Sequence, residues 1–122
     1  MSELKKMLEE YGADYQAIMG RFMGNEAFYL RIFSMFPKDE SLTKLGQALS
    51  NNDYTAAFDA AHTLKGVTGN LGLSPLYQAV CAIVEPLRTG EAENDYPVLY
   101  GMIRLEYEKV IKLLSKLNGG AA

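Results

Sequence analysis

The sequence predicts an all-α protein: an antiparallel four-helix bundle with one or two short N-terminal helices. Apolar residues recur at spacings of three and four along most of the chain, the period of one face of an α-helix. No segment pairs strict apolar alternation with the Asn-Gly or Asp-Gly turns that mark hairpins. Glycine, proline and capping residues separate the periodic stretches at short intervals, and helices joined by short connections bury their apolar stripes by packing antiparallel.

The first turns, Leu4 to Leu8, stop near Gly12, and a second short amphipathic piece, about Asp14 to Phe22, ends at Gly24-Asn25. From Glu26, the residues Leu30, Phe33 and Phe36 share a face, until Pro37 removes a backbone donor and disfavours helix at the residue before it. Leu42, Leu45 and Leu49 then recur up to the turn Ser50-Asn51-Asn52. Asp53 suits an N-cap, and Tyr54, Ala57, Phe58, Ala61 and Leu64 follow at helical spacing, so this central helix runs out near Gly69 to Gly72. Ser74-Pro75 predicts a restart with serine as cap and proline in the first helical position, carrying Leu76, Val80, Ile83, Val84 and Leu87. Pro86 should distort its last turns before the polar segment Thr89 to Asn94. The last helix, about Asp95 to Leu117, carries Leu99, Met102, Ile103, Leu105, Val110, Leu113 and Leu114, and Gly119-Gly120 ends it ahead of a mobile tail.

A chain of 122 residues, 48% hydrophobic, is long enough for one core, and a single domain over 1–122 is expected. The net charge of -3 and the lack of a Lys/Arg block argue against nucleic acid and anionic membranes as partners. No run approaches the roughly 18 apolar residues that a membrane span needs. The lone Cys81 cannot form an internal disulfide and the N-terminus has no secretory apolar stretch, which together favour the cytoplasm. One histidine and one cysteine cannot make a His/Cys metal cluster, and no nucleotide-binding glycine loop is present, so the chemistry must use few groups.

His62 is that single histidine. At about 100 degrees per residue it stands roughly 100 to 120 degrees from the centre of the Ala57, Ala61, Leu64, Thr68 stripe, and so reaches solvent. Its surface neighbours are Thr55, Phe58 and Asp59 before it, and Lys65, Gly66 and Gly69 after it. Two glycines within a helix cost on the order of 1 kcal/mol each relative to alanine, so a bare backbone here implies close approach by another protein. Lys65 lies one turn on, where an ammonium can offset the charge of a phosphoryl group carried by the ring. A neutral imidazole is itself a competent nucleophile near neutral pH.

The run Ala61-His62-Thr63-Leu64-Lys65-Gly66, continued through Gly69 to the turn Gly72-Leu73, resembles the signature of the histidine-containing phosphotransfer domain family. The likeness extends to Arg21-Phe22-Met23-Gly24-Asn25, to Asn52-Asp53-Tyr54, and to Leu76, Cys81 and Glu85, and so covers most of the chain. It implies a phosphoryl carrier without its own ATP site: His62 as the phosphorylated residue, Lys65 as its stabiliser and Gly66 as room for the receiver. It also implies receiver domains of response regulators and a hybrid histidine kinase as partners, with no cofactor on this chain and magnesium held by the receiver. Two features depart from the family's simplest pattern. Glu85 stands where some members place a glutamine, and its charge would repel a phosphoryl group. Pro37 interrupts a helix that is often continuous.

Ile18, Phe22, Met23 and Phe58 are divided between core and an apolar rim that binds the receiver, and Gly69 joins that rim. Cys81 suits a buried small hydrophobe. Two other functions compete: a helical interaction module that binds receivers without passing phosphate, and an enzyme in its own right. The second requires another polar cluster converging on His62, and the sequence supplies none.

Overall fold

The computed structural model describes residues 2–90 and 95–119. These form α1 (Glu3–Tyr11), α2 (Tyr15–Arg21), α3 (Glu26–Ser34), a 3-10 turn (Phe36–Lys38), α4 (Ser41–Ser50), α5 (Tyr54–Leu71), α6 (Ser74–Arg88) and α7 (Tyr96–Leu117). The protein is all-α, with no strand among the described residues. Three helices rather than one or two precede the bundle, because Pro37 sits inside the 3-10 turn and makes α3 an element separate from α4. The polar segment beyond Gly90 and the tail beyond Gly119 lie outside the described residues.

Side-chain caps start four of the helices. Ser2, Asp14, Asn25 and Asp53 accept from the backbone N–H groups of Lys5, Ala17, Phe28 and Ala56 at 2.9 to 3.1 Å. Ser74 is no such cap. It is the first residue of α6, preceded by Leu73, and its backbone N–H donates to the carbonyl of Gly72 at 2.9 Å, so Pro75 falls one position later than expected.

The bundle consists of α4 to α7, with α5 packed between α4 and α6, and α6 against α7. Tyr100 closes the ring from α7 to α4. Its hydroxyl donates to the Leu42 carbonyl at 3.3 Å and lies over Gly46, where a Cβ would come within 2.5 Å of the Tyr100 oxygen. On the other side α1 covers α7 and α2, and the Leu76 N–H donates to the Tyr11 hydroxyl oxygen at 3.2 Å. Burial pushes that hydroxyl up to about 12, so Tyr11 stays neutral. Tyr29 and Phe33 from α3 are buried, and Leu30 only partly.

Two expectations about the interior need correction. Met102 and Leu105 face outward rather than into the core, and Cys81 is half-buried rather than sealed. α6 runs to Arg88 with Pro86 inside it, and so holds Leu87 as expected. No helix among the described residues is long and apolar enough to cross a membrane.

Candidate functional site

The site is built on α5, whose register is set by one buried face: Ala57, Ala60, Ala61, Leu64, Thr68 and Leu71. Three alanines let α4 and α6 approach closely, and the buried Thr68 hydroxyl donates back to the Leu64 carbonyl at 2.9 Å. His62 falls off this face, in the middle of the helix and exposed.

The last carbonyls of a helix have no partner within it and must find donors elsewhere. At the end of α5 all four find one. Gly72, left-handed at φ +70°, donates its N–H to Gly69 at 3.1 Å, and Leu73 donates to Thr68 at 3.0 Å. Arg21 of α2 reaches across with Nη1, donating to the carbonyls of Gly69 at 2.6 Å and Asn70 at 2.8 Å. Tyr29 of α3 donates its hydroxyl to Leu71 at 2.6 Å. Burial raises the Tyr29 hydroxyl far above its ordinary value, which keeps its proton in place for that bond. Tyr29→Phe should therefore lower stability by about 1 to 3 kcal/mol, the cost of a buried acceptor left without a donor. Urea denaturation checks this, and an unchanged midpoint would show that water replaces the hydroxyl.

Around His62 the surface is part aromatic and part cationic. Its ring stacks on Phe58, centroids 5.6 Å apart and planes inclined by 29°. The Arg88 guanidinium lies 5.3 Å from the centre of the Phe58 ring. Glu85 is exposed and pairs with Arg88 at 3.6 Å, so the carboxylate expected to repel a phosphoryl group has a cation beside it. On the opposite side of His62 a groove of about 520 Å³ runs between α2, α5 and the start of α6, lined by His62, Lys65, Gly66, Gly69, Arg21 and Tyr77 among others.

The two glycines of this face behave differently. A Cβ at Gly66 would meet nothing within 4 Å, so the space above it is open. A Cβ at Gly69 would lie 3.1 Å from Tyr77, so that glycine makes room for a ring of α6. The Cys81 thiol beside Tyr77 pushes the tyrosine hydroxyl pKa upward.

Of the expected rim, Met23 is 92% exposed, and Phe22 and Phe58 are half-buried, with Phe22 edge-on to Tyr29 at 4.9 Å. Ile18 is a correction. It is 2% exposed and wedged against Gly72, because α2 docks on the end of α5 through this side chain, and so it offers no surface. Arg21, Tyr77 and Arg88 were given no role from sequence. Their parts depend on contacts across helices, and only the nearness of Arg21 to Phe22 and Met23 hinted at it.

The arrangement can present an imidazole to another macromolecule, with a cation one turn away and no side chain at Gly66 in the path. Residues 39–122, more than half of the chain, match the Hpt domain family. No curated protein and no solved structure matches the chain. The matched span holds α4 to α7 and all of the His62 surface on α5, while α1 to α3 precede it. An all-α bundle that matches over this span belongs to the Hpt domain family, the helical phosphoryl carriers of phosphorelays.

Proposed function

We propose that His62 accepts a phosphoryl group and passes it to or from an aspartate of a response-regulator receiver domain. The observation that supports this most is the position of the chain's only imidazole: exposed, mid-helix, one turn from Lys65 and beside the open space at Gly66. In the accepting direction the unprotonated ring nitrogen attacks the phosphorus of an aspartyl phosphate in line. A P–N bond forms, the acyl P–O bond breaks, the aspartate leaves as carboxylate, and the imidazolium gives up a proton to solvent. The reverse step regenerates the neutral ring. Lys65 offsets the negative charge on the phosphoryl oxygens, and the receiver supplies the magnesium ion. Phe22, Met23 and Phe58 form the apolar rim against which the receiver docks. A hybrid histidine kinase feeds the relay, and this chain acts in the cytoplasm as a carrier with no ATP site of its own.

Incubation with phosphorylated receivers encoded by the same genome tests the reading. Label should move to this chain as an acid-labile, base-stable phosphohistidine, and failure with every such receiver and kinase would leave only a binding module. Gly66→Leu sharpens the test. Helix propensity favours leucine over glycine by up to about 1 kcal/mol, and nothing obstructs the new side chain, so stability should hold or rise. Transfer should fall, because the branched side chain blocks in-line approach. Transfer at the normal rate by this variant would refute the access role of Gly66.

A further inference from the structure

We propose that Phe58 is a positioning residue for the phosphoryl transfer described above: its stack on His62 holds the imidazole at one orientation, and Arg88 holds Phe58 in turn. The proposal rests on that reading of His62 and adds how the ring is aimed. An exposed imidazole on a helix turns about two side-chain bonds, and in-line displacement proceeds from only a narrow range of its orientations. A restraint on the ring is therefore worth rate. No hydrogen bond from a described residue reaches the imidazole. Its one ring contact is with Phe58, centroids 5.6 Å apart and planes inclined by 29°.

The contact follows from the helix. A long side chain on an α-helix leans back over the residue four positions earlier, which for His62 is Phe58. Contact through the ring faces also suits a nucleophile better than a hydrogen bond does. A hydrogen bond would orient the imidazole by occupying one of its nitrogens, whereas a stack uses only the π-face and leaves both nitrogens out of the contact. Tilted aromatic faces at this separation attract each other beyond what their buried area gives.

Phe58 is itself only half-buried, at the border of the alanine face of α5, so the core alone does not fix its ring. Arg88, the last residue of α6, supplies a second support. Its guanidinium carbon lies 5.3 Å from the centre of the Phe58 ring, within cation–π range. Glu85, one turn back on α6, pairs with Arg88 at 3.6 Å. The supports thus run from Glu85 through Arg88 and Phe58 to His62, and they join the end of α6 to the middle of α5. Glu85, standing where some members of the family carry glutamine, bears on the imidazole through two intervening side chains. Its weight is small, because the carboxylate is 69% exposed and such ion pairs contribute little.

Two measurements on the full chain test this. The protein has one histidine, so its signals are unambiguous by NMR, and the three-bond Hα–Hβ couplings of His62 read the rotamer populations of its first side-chain bond. Wild type should show the couplings of a single rotamer. Phe58→Leu, and to a lesser degree Arg88→Ala, should bring them toward the rotamer average, while Phe58→Tyr, which keeps a flat face, should hold them. Transfer from a phosphorylated receiver, followed against receiver concentration, is the second readout. The saturated rate should fall about tenfold in Phe58→Leu and about threefold in Arg88→Ala, and far less in Phe58→Tyr. Arg88 is exposed, so that variant keeps its fold even where Phe58→Leu proves unstable. A wild-type ring already averaged over rotamers, couplings that Phe58→Leu leaves unchanged, or a saturated rate that holds while only the half-saturating concentration rises would overturn the proposal and leave Phe58 a docking residue alone. The couplings are read without phosphate, so a failed stack is told apart from a failed phosphotransfer reading: a single wild-type rotamer in a chain that takes no phosphate from any receiver would refute the transfer, and the positioning role with it.

Discussion

His62→Gln should abolish phosphoryl acceptance and leave the fold unchanged. The chain has one histidine, so no second imidazole can take over, and the glutamine amide is no nucleophile toward an acyl phosphate. The ring is exposed and its one aromatic contact is the stack on Phe58, so the stability change should stay within about 0.5 kcal/mol. Transfer of label from a phosphorylated receiver, read beside a thermal melt of the same sample, separates the two effects. Label that persists at the wild-type level would place the acceptor on another residue.

Gly72→Ala should produce the largest loss of stability of any single methyl addition along α5 and its cap. At φ +70° alanine pays about 1 kcal/mol that glycine avoids. Its Cβ would also clash with Ile18 Cγ1 and come within 2.8 Å of Ile18 Cδ1, overpacking of the kind that costs about 1 to 3 kcal/mol. The combined effect is about 3 kcal/mol, equivalent to a fall of roughly 10 °C in Tm for a domain of this size. Truncating Ile18 to alanine in the Gly72→Ala background should relieve the steric part, so the double variant should be less unstable than the sum of the singles. Strict additivity would mean that α2 moves aside without cost.

The parts of this molecule legible in its sequence are those governed by near neighbours. Asp53 caps α5 through a bond to a residue three positions on, and the exposure of His62 follows from its angle to the alanine face of its own helix. Contacts between helices were not legible. Ile18 and Met23 both looked like rim or core, and only the docking of α2 onto Gly72 decides that the first is buried and the second exposed. Met102 and Leu105 fit the apolar rhythm of α7 as well as Ile103 does, yet they fall on the side without a helix over it. Arg21 bonds to carbonyls 48 and 49 positions away, a separation at which no local pattern carries information. Gly66 and Gly69 look equivalent by spacing, and Tyr77, which makes them different, comes from the next helix.

The capping of α5 from α2 and α3 also bears on where the cooperative unit ends. The family match begins at residue 39, but Arg21 and Tyr29, which hold the carbonyls of Asn70 and Leu71, lie before it. A fragment cut at that boundary would expose the buried wall that Ile18, Tyr29 and Phe33 now cover and would fray α5 from its C-terminal end toward the phosphoacceptor turn. The matched span and the folding unit therefore have different edges, and the C-terminal end of the helix that carries His62 is held by residues that precede that span.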